Sequence, residues 1–194
     1  FGNMFLWDSN RISYISDLHL MHRIKNAGCK SKEDVIFTIH KIIDDILAES
    51  TSLTLIGGDV SSEFSIFELF VKMLRKLAGS GRRDFVFVLG NHELWDFPGL
   101  SVDEIVDKYR TVLKENGMYL LHNDLFYRNE SDDMGIIPYD ELIQSDNQAI
   151  LEKLRCTRLV ILGGLGFSGY NEEFNANDGV YRATVDRNTE IQES

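Results

Sequence analysis

Ile12-Ser13-Tyr14-Ile15-Ser16-Asp17-Leu18-His19 is the stretch on which the fold turns. A β-prone run, RISYIS over 11–16, gives way at once to an acid and an imidazole two residues apart. The same grammar recurs downstream. SLTLIG (52–57) runs into Gly58-Asp59, and DFVFVL (84–89) runs into Gly90-Asn91-His92-Glu93. Between these runs lie helical patterns. Val35, Ile39, Ile42, Ile43 and Ile46 form one stripe in 31–49, and Ile66, Phe67, Phe70, Val71, Met73 and Leu74 form another in 62–78. Successive β-α units predict a parallel sheet with helices packed on it. Ligands of such sheets collect at the carboxyl ends of the strands. All three polar motifs therefore converge on one edge if the strands are neighbours.

Working outward, 101–116 reads as a helix that opens on a Ser101/Glu104 capping box and closes at Gly117. Ser61-Ser62-Glu63 reads as a cap and first turn for the helix of 62–78. The pattern then changes. Short strands at 119–121, 125–127 and 134–137 predict an antiparallel portion. A helix over 139–154 and the strand RLVIL (158–162) follow, and the remainder is polar and loop-like.

Each motif alone has an ordinary explanation. An Asp after a strand is commonly a turn former, Gly-Asp is a common turn, and Asn-His after Gly suits a left-handed turn. Their recurrence at one end of consecutive strands points elsewhere. Carboxylate, imidazole and amide oxygen are the donors that hard and borderline divalent cations take. Asp17 and His19, two apart in extended chain, can reach one ion. Gly58 and Gly90 let the backbone turn without a Cβ penalty.

The order Asp17-Leu18-His19, Gly57-Gly58-Asp59, Gly90-Asn91-His92-Glu93 resembles the calcineurin-like metallophosphoesterase superfamily, at least over residues 11–96. The resemblance implies an α/β fold, a four-layer αββα sandwich with helices outside two facing sheets. It implies two divalent metal ions, Mn²⁺, Fe or Zn²⁺, at the sheet edge. By motif position Asp17 and His19 would bind the first metal, Asp59 would bridge both, and Asn91 would bind the second. His92 would contact the phosphate and act as general acid. The expected activity is hydrolysis of a phosphomonoester or phosphodiester, on a small molecule or a protein. The family pattern also carries histidines after Asn91, one behind a later strand and then a Gly-His-x-His pair. Here only His122 follows His92. The expectation is thus a single domain over 1–194, incomplete at its C-terminal side. It would be open to self-association or to a second chain that completes the site. His122 reads as structural or exposed, His40 as a helix-face residue, His22 as a loop histidine or one set near the phosphate, and Trp95 as a partly buried aromatic or one near the site mouth.

Composition trims the alternatives. The formal charge of −11 argues against a nucleic-acid groove, and so against a nuclease of this fold. Arg75, Lys76, Arg82 and Arg83 are the one basic cluster and read as a solvated helix end. Two cysteines, Cys29 and Cys156, make no disulfide framework. With no apolar run of ~20 residues and no signal-peptide pattern at the start, a cytoplasmic protein without a membrane partner is expected. Gly164-Leu165-Gly166-Phe167-Ser168-Gly169 formally fits a dinucleotide fingerprint. No helical stripe follows it, so that reading fails. The competing functional class is a non-catalytic phosphoesterase-like module for binding or scaffolding, with an incomplete metal site.

Overall fold

The computed structural model describes residues 11–79 and 83–165. Strands β1 (Ile12–Ile15), β2 (Leu53–Gly57), β3 (Asp84–Val88) and β4 (Tyr119–Leu120) make one parallel sheet in sequence order. Ile12 pairs with Leu53, Leu53 with Asp84, and Val86 with Tyr119. Helices make the crossovers. They are α1 (Leu20–Asn26) and α2 (Lys32–Glu49), then α3 (Phe64–Ala78), then α4 (Val102–Glu115). Strands β5 (Asp124–Asn129), β6 (Met134–Ile137) and β7 (Thr157–Gly163) form an antiparallel sheet in the order β6-β5-β7. Helices α5 (Tyr139–Gln144) and α6 (Asn147–Lys153) connect β6 to β7.

Strand alternation sorts the core into two layers. Ile56, Phe85, Phe87 and Leu120 face the helices and bury against Ile39, Ile43, Phe67, Phe70, Leu74, Ile105 and Leu113. Leu53 and Val86 point the other way, onto Phe126 and Leu121 with Met134, Ile136 and Ile161 around them. The result is helix on sheet on sheet, with α5 packed on β5. Between the sheets Arg128, on β5, reaches the Asp84 carboxylate at 3.2 Å. Such a mixed α/β layering is the one expected from the sequence pattern.

Local rules account for the helix ends. Ser31 and Asp34 box the start of α2, and Ser101 and Glu104 box the start of α4. At the end of α4 the Gly117 N–H donates to Lys114 O and the Met118 N–H to Leu113 O, with Gly117 at φ +64°. These two bonds are the Schellman pattern that only a left-handed residue closes well.

The structure departs from the sequence reading in three places. The helix expected over 139–154 is two helices, because Asp146 leaves the helix and accepts the Ala149 N–H at 2.8 Å as the cap of α6. Helix α3 starts at Phe64, not at 62. Ser61 is buried in the preceding turn, and the Phe64 N–H donates to Asp96, a cap from 32 residues away. Helix α1 follows directly on His19. Its signals, Leu20 and Ile24 on one face and Gly28 as left-handed terminator, are present in the sequence. Residues 166–194, including the Gly166–Gly169 part of the dinucleotide-like stretch, lie outside the described residues.

Candidate metal centre

Three loops leave the carboxyl ends of β1, β2 and β3 and are laced together by their backbones. The Asp17 N–H donates to Gly58 O at 3.1 Å, the His19 N–H to Asp59 O at 2.8 Å, and the Leu20 N–H to Val60 O at 2.9 Å. The third loop joins through the His92 N–H, which donates to Asp59 Oδ1 at 3.0 Å. Contact this close requires glycine at two points. A Cβ on Gly58 would meet Gly90 N at 2.5 Å, and a Cβ on Gly90 would meet Asp59 Oδ1 at 2.2 Å.

Asp17, His19 and Asp59 all adopt left-handed backbone, at φ +56°, +44° and +53°. Non-glycine residues avoid this region at about 1–2 kcal/mol each. Such conformations cluster where function fixes side-chain direction. Here the turn aims the side chains into the gap between the loops. Ligand atoms of His19, Asp59 and His92 lie within 4.8 Å of one another. Asp17 Oδ1 stands 3.6 Å from His19 Nε2, at the exposed side of the group. The His19 and His92 rings meet edge-on, 4.6 Å between centroids. Asn91 is exposed, just before the single 3-10 turn His92–Leu94.

Of the sequence-predicted site residues, then, His19, Asp59 and His92 are brought together, Asp17 adjoins them, and Asn91 sits at the same loop tip facing solvent. His92, which the sequence reading assigns to proton transfer, offers a third donor to the same gap. Trp95 stacks on His92 at 3.8 Å between ring centroids and 33° between planes, which fixes the imidazole from one side. His22 is exposed on α1, near enough for its charge to disfavour a proton on His92. His40 pairs with Asp44 on the face of α2 at 3.0 Å. His122 is nearly buried and lies 4.0 Å from Asp103, outside the group. It lines a cavity of about 980 Å³ between α4 and the turn into β5, whose lining includes none of the side chains of the three loops.

Electrostatics follow the burial. Burial holds the His92 pKa below its ordinary value, and His19 adds to the effect, while Asp59 opposes it. Glu93 is fully buried, and burial pushes its pKa up to about 7 against the pull of backbone N–H donors. Sequence reasoning gave Glu93 no role beyond its place in the motif. Its signal was an acid followed by Leu94 and Trp95, where an exposed helix start would be polar.

The sequence model for calcineurin-like phosphoesterase matches residues 11–187. The chain belongs to this family. No curated protein and no solved structure gives a match. For a calcineurin-like phosphoesterase the donors present suit the divalent ions that the family implies. Imidazole nitrogens and carboxylate oxygens together fit Mn²⁺, Fe and Zn²⁺ without choosing among them. Among the described residues no helix is long and apolar enough to cross a membrane.

Proposed function

We propose that this calcineurin-like phosphoesterase hydrolyses a phosphomonoester or phosphodiester at a two-metal site. His19, Asp17 and Asp59 would serve as ligands to the first ion, and Asp59 and Asn91 to the second. The observation that carries the reading is the convergence of His19, Asp59 and His92 from three separate loops to within 4.8 Å. When bound, divalent cations supply positive charge against the phosphoryl oxygens and acidify a water.

The chain's own residues supply the rest. The Asp59 carboxylate faces the gap between the loops, beside His19 and His92. Its Oδ1 already accepts the His92 N–H, so its position is fixed before any ion arrives. His92, held by Trp95, donates its proton to the departing oxygen. Burial disfavours a proton on that imidazole in the free chain. An anionic phosphoryl group beside it favours the protonated form, so binding of substrate loads the acid.

The second reading is a phosphoesterase-like binding module, and it is favoured by the place of His122, beside Asp103 and outside the group. Metal analysis and turnover of an aryl phosphate separate the two. Bound Mn²⁺ with turnover supports the hydrolase. Bound phosphate without turnover, at any metal loading, supports the module.

A further inference from the structure

We infer that Glu93 is the positioning residue of the site, a buried carboxylate that clamps the β2 and β3 loops and so sets where Asp59 stands. The inference rests on the metallohydrolase reading above and assigns that site a residue that touches neither substrate nor ion.

Glu93 is 0% exposed. Its two oxygens accept four backbone N–H groups. Oε1 takes Val60 at 2.6 Å and Ser61 at 3.1 Å, and Oε2 takes Asp59 at 3.1 Å and Gly90 at 2.8 Å. Three of these donors belong to the loop that carries Asp59, and the fourth belongs to the loop that carries Asn91 and His92. All four come from turns where no strand or helix partner is available, and without the carboxylate the Val60 and Ser61 donors would be buried orphans. Only an acceptor on both oxygens satisfies them. The Glu93 peptide is itself anchored, because the Tyr109 hydroxyl on α4 donates to its carbonyl at 3.0 Å. One residue thus ties two ligand loops to each other through its side chain and, through its carbonyl and Tyr109, to the helical layer.

The chemistry of substitution makes the inference testable. Glu93→Gln keeps the volume but turns one end of the side chain into a donor facing two N–H groups. Glu93→Asp keeps the charge but retracts it by one methylene. Groups that orient metal ligands from behind typically change metal affinity by about 10–100-fold. We expect Glu93→Gln, in the full chain and below its melting transition, to bind Mn²⁺ in that range more weakly. Its Co²⁺ visible absorption should change in intensity, reporting altered coordination. The amides of Asp59, Val60, Ser61 and Gly90 should exchange faster, while core amides of β2 and β3 stay protected. A merely structural role lowers the melting temperature and leaves affinity and spectrum of the folded fraction unmoved; that result overturns the inference. If Glu93→Gln does not fold, Glu93→Asp takes its place, with a smaller loss expected and parental Mn²⁺ affinity as the overturning result. Failure of the hydrolase reading looks different. The parent chain would then show no turnover of aryl phosphate, and where it also binds no Mn²⁺ the exchange rates of the four amides alone would judge Glu93, parental rates in the variant counting against it.

Discussion

Replacing Gly90 with alanine tests whether the loops must touch as closely as they do. Gly90 is not at positive φ, so alanine is allowed by the backbone and the substitution isolates the steric term. The new Cβ would stand 2.2 Å from Asp59 Oδ1, 2.7 Å from its Cγ and 2.6 Å from its backbone nitrogen. Ordinary contact begins at 3.4 Å, so Asp59 or the β3 loop must retreat by about 1 Å. The backbone nitrogen cannot swing aside as a side-chain tip could. Overpacking of this kind costs about 1–3 kcal/mol. A 1 Å misplacement of a reacting group costs about 10²-fold in rate. Gly90→Ala should therefore lower the melting temperature modestly, weaken Mn²⁺ binding and cut aryl phosphate turnover about a hundredfold. Gly28→Ala is the matched control. Gly28 sits at φ +66° with nothing within 4 Å of the added Cβ. It should lose about 1 kcal/mol from backbone strain alone, with metal binding unchanged. Calorimetric titration of Mn²⁺ beside thermal melts reads both. Parental metal affinity and turnover in Gly90→Ala would refute the claim that loop contact sets the site.

Asp59→Asn should abolish turnover and lose more bound metal than Asn91→Ala, because it removes charge from the carboxylate that meets His19 and His92 in the gap; equal metal content in Asp59→Asn and the parent would count against a bridging role. His92→Gln should keep metal and slow turnover by about 10²–10⁴-fold, with a smaller loss for a nitrophenolate leaving group, and a uniform loss across leaving groups would argue for phosphate binding instead. Asp84→Ala should cost about 3 kcal/mol in chemical denaturation, since it strands the buried Arg128 guanidinium, whose Nε already has no partner; an unchanged midpoint would contradict that pairing. Asp34 and Glu104 accept the N-cap hydrogen bonds of α2 and α4, which hold both pKa values below the ordinary 3.8 and 4.5. Their support is full above those ordinary values and lost as pH falls through the lower folded ones. Carboxyl NMR titration should place both midpoints below the ordinary values, and ordinary midpoints would remove the capping contribution.

Much of the fold was legible because its strongest signals are local. The runs at 52–57 and 84–89 are apolar on both faces, as strands buried between helices and a second sheet must be. The Ser101/Glu104 box and Gly117 name the ends of α4 within a residue. What was not legible depends on partners distant in sequence. The start of α3 is set by Asp96, and no reading of 61–64 can reveal a cap 32 residues downstream. The break at Ser145-Asp146 is a contest between a continuing helix and an Asp cap, and the cap won because no side chain of α5 or α6 is buried deeply enough to hold one straight helix. At the site, residue types and spacing pointed to His19, Asp59 and His92. Glu93 was hidden in plain view, because its partners are backbone amides, which every residue carries.

The apolar residues between the ligands explain how the strained loops persist. In Asp17-Leu18-His19-Leu20 the two leucines are 2% and 0% exposed, while the acid and the imidazole alternate outward. Burying each leucine contributes about 1.5–3 kcal/mol. That is as large as the cost of one left-handed residue, about 1–2 kcal/mol. The interloop N–H···O bonds at Asp17, His19 and Leu20 act in the same direction. The β2 loop has its own anchor in Val60, 1% exposed, directly after Asp59. Asp17, His19 and Asp59 are thus each adjacent in sequence to a core residue, and the packing of that residue dictates the ligand's direction. Preorganisation of this kind separates the two things that a substitution can damage. Changing a donor atom removes affinity and leaves the loop in place, whereas changing the leucine or glycine beside it moves a donor that is chemically intact.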